Sequence, residues 1–172
     1  MIDDARLAGL YRYWSDKRGG RAMPSRADLD PLELPGAIWP HIMLLDVVDG
    51  EGGPRFRYRR VGAQFWAAAQ GDPTGKFLDE ALIATAGYRD YVNGLYGEMV
   101  RHRVPLYSAS LLRLRGQVRP LLIRRVSLPL SSDGVVVNMA LAGHVFDGPD
   151  LPLDSAVGLV EGHEEVARAA LA

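Results

Sequence analysis

The sequence predicts an α+β fold: a five-stranded antiparallel sheet with helices on one face and an N-terminal helix covering the other. Three patterns carry that expectation. Apolar runs separated by short glycine-containing turns come in two groups, two runs before residue 62 and three after residue 105, the punctuation of hairpins rather than of parallel crossovers. Between the groups, Tyr88, Tyr91, Val92, Leu95, Tyr96, Met99 and Val100 recur at helical spacing, the apolar stripe of a helix lying on a core. In residues 106–130 both alternating sets of side chains are partly apolar, so both sheet faces need a cover.

In chain order, Leu7, Leu10, Tyr11 and Trp14 fall at i, i+3, i+4 and i+7 of a first helix, residues 5–14, that ends near Gly19-Gly20. A helix this short is marginal alone, so its stripe must pack on something. Pro24, Pro31, Pro35 and Pro40 then predict an ordered loop with short helical turns. Asp30 before Pro31 reads as a helix cap, and Asp28 as a cap or a partner of Arg26, rather than as a catalytic pair. Residues 38–48 and 55–61 are the first two strands, joined by the turn 50–54. A short helix over 63–70, a loop over 71–75 and a helical turn over 77–82 follow. The long helix covers 88–101, and Pro105 bars its extension. Residues 106–115, 120–130 and 135–145 are the remaining strands, the last two joined through Asp133-Gly134, which predicts a hairpin. Pro149 and Pro152 precede a final short helix over 161–171. The division is therefore an N-terminal helix and proline-rich loop (1–37), a core (38–146) and a C-terminal tail with a short helix (147–172).

At 172 residues this is one domain's worth of chain, and its absence of cysteine excludes disulfide scaffolds, Cys-ligated zinc, iron–sulfur clusters and thiol nucleophiles. No secretory signal opens the chain and no run of 18 apolar residues occurs, so a cytoplasmic protein without membrane attachment is expected. The net charge of −1 conceals a partition: −3 over residues 1–54, +8 over 55–125 and −6 over 126–172. Arginine makes up 18 of the 20 basic residues, and its fork pairs bidentately with carboxylate or phosphate.

Several motifs resemble one PAS-like family known chiefly from alphaproteobacteria. They are Tyr13-Trp14, the basic turn Lys17-Arg18-Gly19-Gly20-Arg21, and Pro24-Ser25-Arg26-Ala27-Asp28-Leu29-Asp30-Pro31. Further along stand Leu44-Leu45-Asp46-Val47, Arg57-Tyr58-Arg59-Arg60-Val61-Gly62, and the loop Gln70-Gly71-Asp72-Pro73-Thr74-Gly75. The resemblance covers about residues 8–145. Ala63 in place of the usual Thr, Gln70-Gly71 in place of Gly-Arg, and Pro73 depart from the family pattern. It implies a PAS-like core that senses and signals by cupping a small ligand or by dimerising, and it supplies no ligand identity.

The residues themselves offer little chemistry. His41, His102, His144 and His163 have no metal-ligand spacing. Haem through His102 and non-covalent flavin are both ranked low, and no cofactor is expected. Serine-hydrolase elbows and phosphate-cradling loops are missing, so the reading is not of an enzyme. Arg55, Arg57 and Arg59 share a strand face, as do Arg113 with Arg115 and Arg119 with Arg125. Such arginines either converge on an anionic ligand or acidic partner, or pair across strands with Asp46, Asp49 and the acidic C-terminal third; the second reading is favoured. Nucleic acid is ranked behind both, because the calculated pI is only about 6.4.

The leading expectation is a stand-alone sensory or regulatory domain acting through an unidentified signalling protein, with residues 146–172 too short for an output kinase or cyclase. A homodimer is expected, with Leu7, Leu10, Tyr11 and Trp14 as the dimer or partner surface. The alternative is a binding protein for a small anionic or aromatic molecule, with Trp66, Tyr88, Tyr91, Tyr96 and Tyr107 as pocket walls. A small α+β enzyme ranks third.

Overall fold

A computed structural model of the chain describes residues 2–68, 71–81, 85–148 and 160–171. The first helix, α1 (Ala5–Arg18), begins where Asp4 accepts hydrogen bonds from the backbone N–H groups of Arg6 and Leu7, and ends at Gly19, whose φ of +56° suits a left-handed cap. The proline-rich loop folds into three 3-10 turns: Arg26–Asp28, Pro31–Glu33 and Gly36–His41. Asp30 caps the second by accepting from the Leu32 N–H, with Pro31 first in the turn. Asp28 closes a capping box with Ser25 and pairs with Arg21 at 2.9 Å, not with Arg26, whose guanidinium donates to the Leu29 carbonyl instead.

Strands β1 (Ile42–Gly50) and β2 (Gly53–Val61) form the first hairpin. Short helices α2 (Ala63–Ala68) and α3 (Leu78–Ala81) follow, then α4 (Ala86–His102), capped by Thr85. Strands β3 (Leu106–Leu114), β4 (Leu121–Leu130), β5 (Met139–Asp147) and β6 (Val160–Ala170) complete one antiparallel sheet in the order β2-β1-β5-β4-β3-β6. The helix α4 packs on one face, hereafter the inner face, against β2, β4 and β6, while α1 crosses β4 and β5 on the outer face. Leu7, Leu10 and Trp14 are buried there, and the Trp14 indole donates to the Pro129 carbonyl at 2.8 Å. Burial of this kind stabilises by roughly 1.5–3 kcal/mol for a large apolar side chain. Gly143 permits the approach, since a Cβ at that position would sit 2.6 Å from a Leu10 methyl group.

The structure corrects several expectations. The sheet has six strands, because residues 161–171 form not a helix but β6, paired along β3 from Leu106↔Ala170 to Leu114↔Val160. That segment is rich in the good helix formers Glu, Ala and Arg, but a helix there would leave the β3 edge unpaired, and the long-range ladder overrides local propensity. The tight Asp133-Gly134 hairpin is replaced by a longer connection between Leu130 and Met139. The Asp133 carboxylate accepts from the N–H groups of Val135 and Val136, both at 2.8 Å, and so takes two donors that a strand ladder would need. The first strand starts at Ile42 rather than at residue 38 because Pro40 lies inside a 3-10 turn. Gly62 accommodates that turn, for a Cβ would lie 2.5 Å from the Trp39 and Pro40 carbonyls. Gln70, Leu82, Pro149 and Pro152 lie outside the described residues.

The loop Asp72-Pro73-Thr74-Gly75 is built to support a strand. Asp72 accepts from both the Thr74 N–H (3.0 Å) and its hydroxyl (2.6 Å), and these bonds hold its carboxyl below the usual range. Gly75, at φ +86°, then delivers its N–H to the Tyr58 carbonyl, and Tyr58 donates to the Lys76 carbonyl. The outer edge of β2 is thereby partly covered.

Candidate functional site

Strand β4 reads Leu121-Leu122-Ile123-Arg124-Arg125-Val126-Ser127. Alternation sends its two consecutive arginines to opposite faces of a sheet covered on both sides. Arg125 enters the space beneath α4, where it is 2% exposed. One guanidinium nitrogen donates to the Tyr88 hydroxyl at 2.8 Å and the other reaches the Ser108 hydroxyl at 3.4 Å. Tyr88 comes from the first turn of α4 and Ser108 from the register partner of Arg125 on β3.

No carboxylate among the described residues pairs with Arg125; it has only neutral hydrogen-bond partners. Burial opposes the charge, yet Tyr88, Tyr91 and Tyr96 hold its pKa above the ordinary arginine value, so the guanidinium is a buried cation. An isolated buried charge costs several kcal/mol unless something else compensates it.

Other buried polar atoms on the inner face also lack partners. The Nε of Arg125, the hydroxyls of Tyr91, Tyr96 and Ser110, and Nδ1 of His144 are buried without a hydrogen-bond partner in the structure. Ser110 and Glu165 lie near the Tyr91 hydroxyl and Ser127 near that of Tyr96, but none meets hydrogen-bond geometry. Burial raises the pKa of both tyrosines, so both hydroxyls keep their protons at neutral pH. His144, opposite Arg125 on β5, is pushed well below the usual histidine range by burial, then by Arg125 and His41. It is therefore neutral at pH 7.

Aromatic rings wall this cluster. Tyr88 and Tyr91 stack with centroids 5.9 Å apart, and His163 of β6 meets both rings at 5.5 and 4.8 Å. The Arg125 guanidinium carbon stands 5.8 Å from the Tyr91 ring. Arg168 of β6 lies at the same distance from that ring, but it is paired with two carboxylates, those of Glu98 and Glu165.

Of the residues expected to line a pocket, the structure gathers Tyr88, Tyr91 and Tyr96 and separates the other two. Trp66 is 46% exposed on α2, with its indole donating to the Val61 carbonyl. Tyr107 points to the outer face, where its hydroxyl donates to Asp3 at 2.8 Å; burial and that bond push its pKa up to about 12. Leu7, Leu10 and Trp14 are buried against the chain's own sheet and are unavailable as an exposed dimer surface, while Tyr11 is half-buried beside Trp14. His102 is exposed in the last turn of α4. Arg119 lies in the β3–β4 connection and shares no strand with Arg125.

Several of the remaining arginines pair as favoured, although Arg55 takes Asp79 and Glu80 instead. Asp46 takes Arg57 and Arg59, Glu164 takes Arg113, Glu161 takes Arg115, and Asp147 takes Arg124. The residues missed as a group are Arg125, Ser108, Ser110 and His144. The available signal was two adjacent arginines in an otherwise apolar strand buried on both faces.

A family model described as a PAS domain matches residues 2–65. That stretch holds α1, the proline-rich loop, β1, β2 and the start of α2, and the sheet with its helices is consistent with a PAS-like fold. The Arg125 cluster lies outside it. No curated protein and no solved structure matches the chain. Among the described residues no helix is long and apolar enough to cross a membrane, and no group of three His, Cys, Asp or Glu side chains is placed to hold a metal ion.

Proposed function

We propose that the chain is a PAS-type sensory or regulatory domain that binds a small molecule between the sheet and α4 and reports it by non-covalent contact with a protein. The match over residues 2–65 supports the class. The buried, uncompensated Arg125 with its unsatisfied neighbours carries the ligand-binding part, since native structures rarely leave so many buried polar groups unpaired at one place. No catalytic role is assigned to the cluster.

The expected homodimer forms part of the proposal, with a surface other than the α1 stripe. The outer edge of β6 supports it: β6 is the terminal strand, and Val166 on it is 49% exposed. Native mass spectrometry of freshly purified protein tests the ligand-binding part. A small-molecule mass that leaves on denaturation is expected, and its absence from Arg125→Met protein. Light scattering that gives a monomer at all concentrations would remove the dimer.

A further inference from the structure

The chemistry of the Arg125 cluster narrows the ligand. Resting on the sensory reading above, we infer that this site takes a small monocarboxylate, with its carboxylate on Arg125 and its apolar body against the tyrosines of α4.

The unsatisfied hydroxyls and the free guanidinium nitrogen on the inner face can all donate. Arg125 Nε can only donate, and the Tyr91, Tyr96 and Ser110 hydroxyls keep transferable protons. A ligand that satisfies them must be rich in acceptors. A negative charge suits it, because Arg125 has no ion-pair partner among the described residues and the neutral His144 adds no second cation beside it. One guanidinium matches one negative charge. A phosphate dianion would leave an excess negative charge in a low-dielectric space, which is costly. A planar carboxylate offers about four lone-pair directions and accepts two parallel bonds from a guanidinium, which leaves capacity for the hydroxyls.

The rest of the ligand meets an apolar and aromatic wall. Val92, Leu95 and Met99 of α4 are buried, as are Leu112 and Ile123 of the sheet beneath. Tyr91 is only half-buried, and with His163 it lies where α4 meets the edge strand β6.

The test uses the full chain and thermal unfolding with sodium acetate, butyrate and benzoate. Sodium chloride at equal ionic strength and the isosteric amides acetamide, butyramide and benzamide are the controls. At about 100 times the dissociation constant the best carboxylate raises the melting temperature by roughly 5–10 °C, while its amide and chloride leave it unmoved. Arg125→Met abolishes the shift. Tyr96→Phe, which removes a hydroxyl that has no partner in the free protein, leaves the unliganded melt unchanged or higher and weakens carboxylate binding by about tenfold. A structural hydroxyl would instead lower the unliganded melt. Three inert carboxylates, an amide as effective as its carboxylate, or a shift that survives in Arg125→Met would each overturn the assignment. Those outcomes leave the sensory reading standing if native mass spectrometry still finds a ligand, and that reading falls separately if it finds none.

Discussion

Arg124 and Arg125 are neighbours in one strand and live in opposite electrostatic worlds. On the outer face Arg124 meets Asp147 at 2.7 Å, Asp3 at 3.6 Å and Asp4 at 3.8 Å. These contacts clip the start of α1 to the sheet, and Tyr107 adds a bond to Asp3. On the inner face Arg125 is more deeply buried and has only two hydroxyls. Equal charges on adjacent residues thus have different surroundings. The outer arginine is part of the fold's own closure, and in the proposed reading the inner one takes a ligand that brings the missing negative charge. The difference teaches that a buried cation is informative only together with its partners.

The largest effect should come from the outer face. Trp14→Ala removes a fully buried indole and its bond to Pro129, and is expected to destabilise by about 3–5 kcal/mol in chemical denaturation. A loss under 1 kcal/mol would mean that α1 is not an integral cover. Next comes the direct contrast. Arg124→Met removes the cation shared by Asp3, Asp4 and Asp147 and should destabilise by about 1–3 kcal/mol, whereas Arg125→Met should be neutral or stabilising in the absence of ligand. Equal losses in the two variants would break the comparison.

A smaller effect lies in pH. Folded His144 and His41 both have pKa values below the ordinary 6.5, mainly through burial. The unfolded chain therefore binds protons that the folded chain refuses as pH falls through 6.5, and stability is lost on acidification. Each such group contributes a slope of up to about 1.4 kcal/mol per pH unit below that value. The carboxyls of Asp4, Asp28, Asp72 and Asp133 are lowered from 3.8, so their stabilisation is lost only near and below pH 4. Between pH 6.5 and 4.5 the histidines dominate, and His144→Phe should flatten the slope. An unchanged slope would show that His144 is already protonated on the inner face and stands as a second cation beside Arg125.

Local signals made much of the fold legible. The stripe of α1, the Asp30-Pro31 cap and the helical repeat from Tyr88 to Met99 each act within a few residues, and all appear in the structure. Features that depend on distant partners were not legible in the same way. Nothing within residues 160–170 reveals the free edge of β3 that turns a helix-forming composition into β6. Asp133 reads as a turn residue, yet only its side-chain bonds to Val135 and Val136 show how long the connection must be. Tyr107 and Tyr88 look alike in sequence, but strand alternation turns Tyr107 to the outer face while α4 brings Tyr88 to the inner one. The arginines suggested an anionic ligand or pairing as alternatives; the structure divides them, with Arg124 paired and Arg125 left with neutral partners.

The most direct measurement of the central claim is the Arg125 side-chain N–H resonance. In protein labelled with nitrogen-15, the Nε–H signal missing from Arg125→Met identifies it, and burial protects it from rapid exchange. Titration with sodium benzoate should move that signal saturably, while benzamide leaves it in place. A signal unmoved by benzoate, or moved equally by both, would contradict a carboxylate site on the inner face.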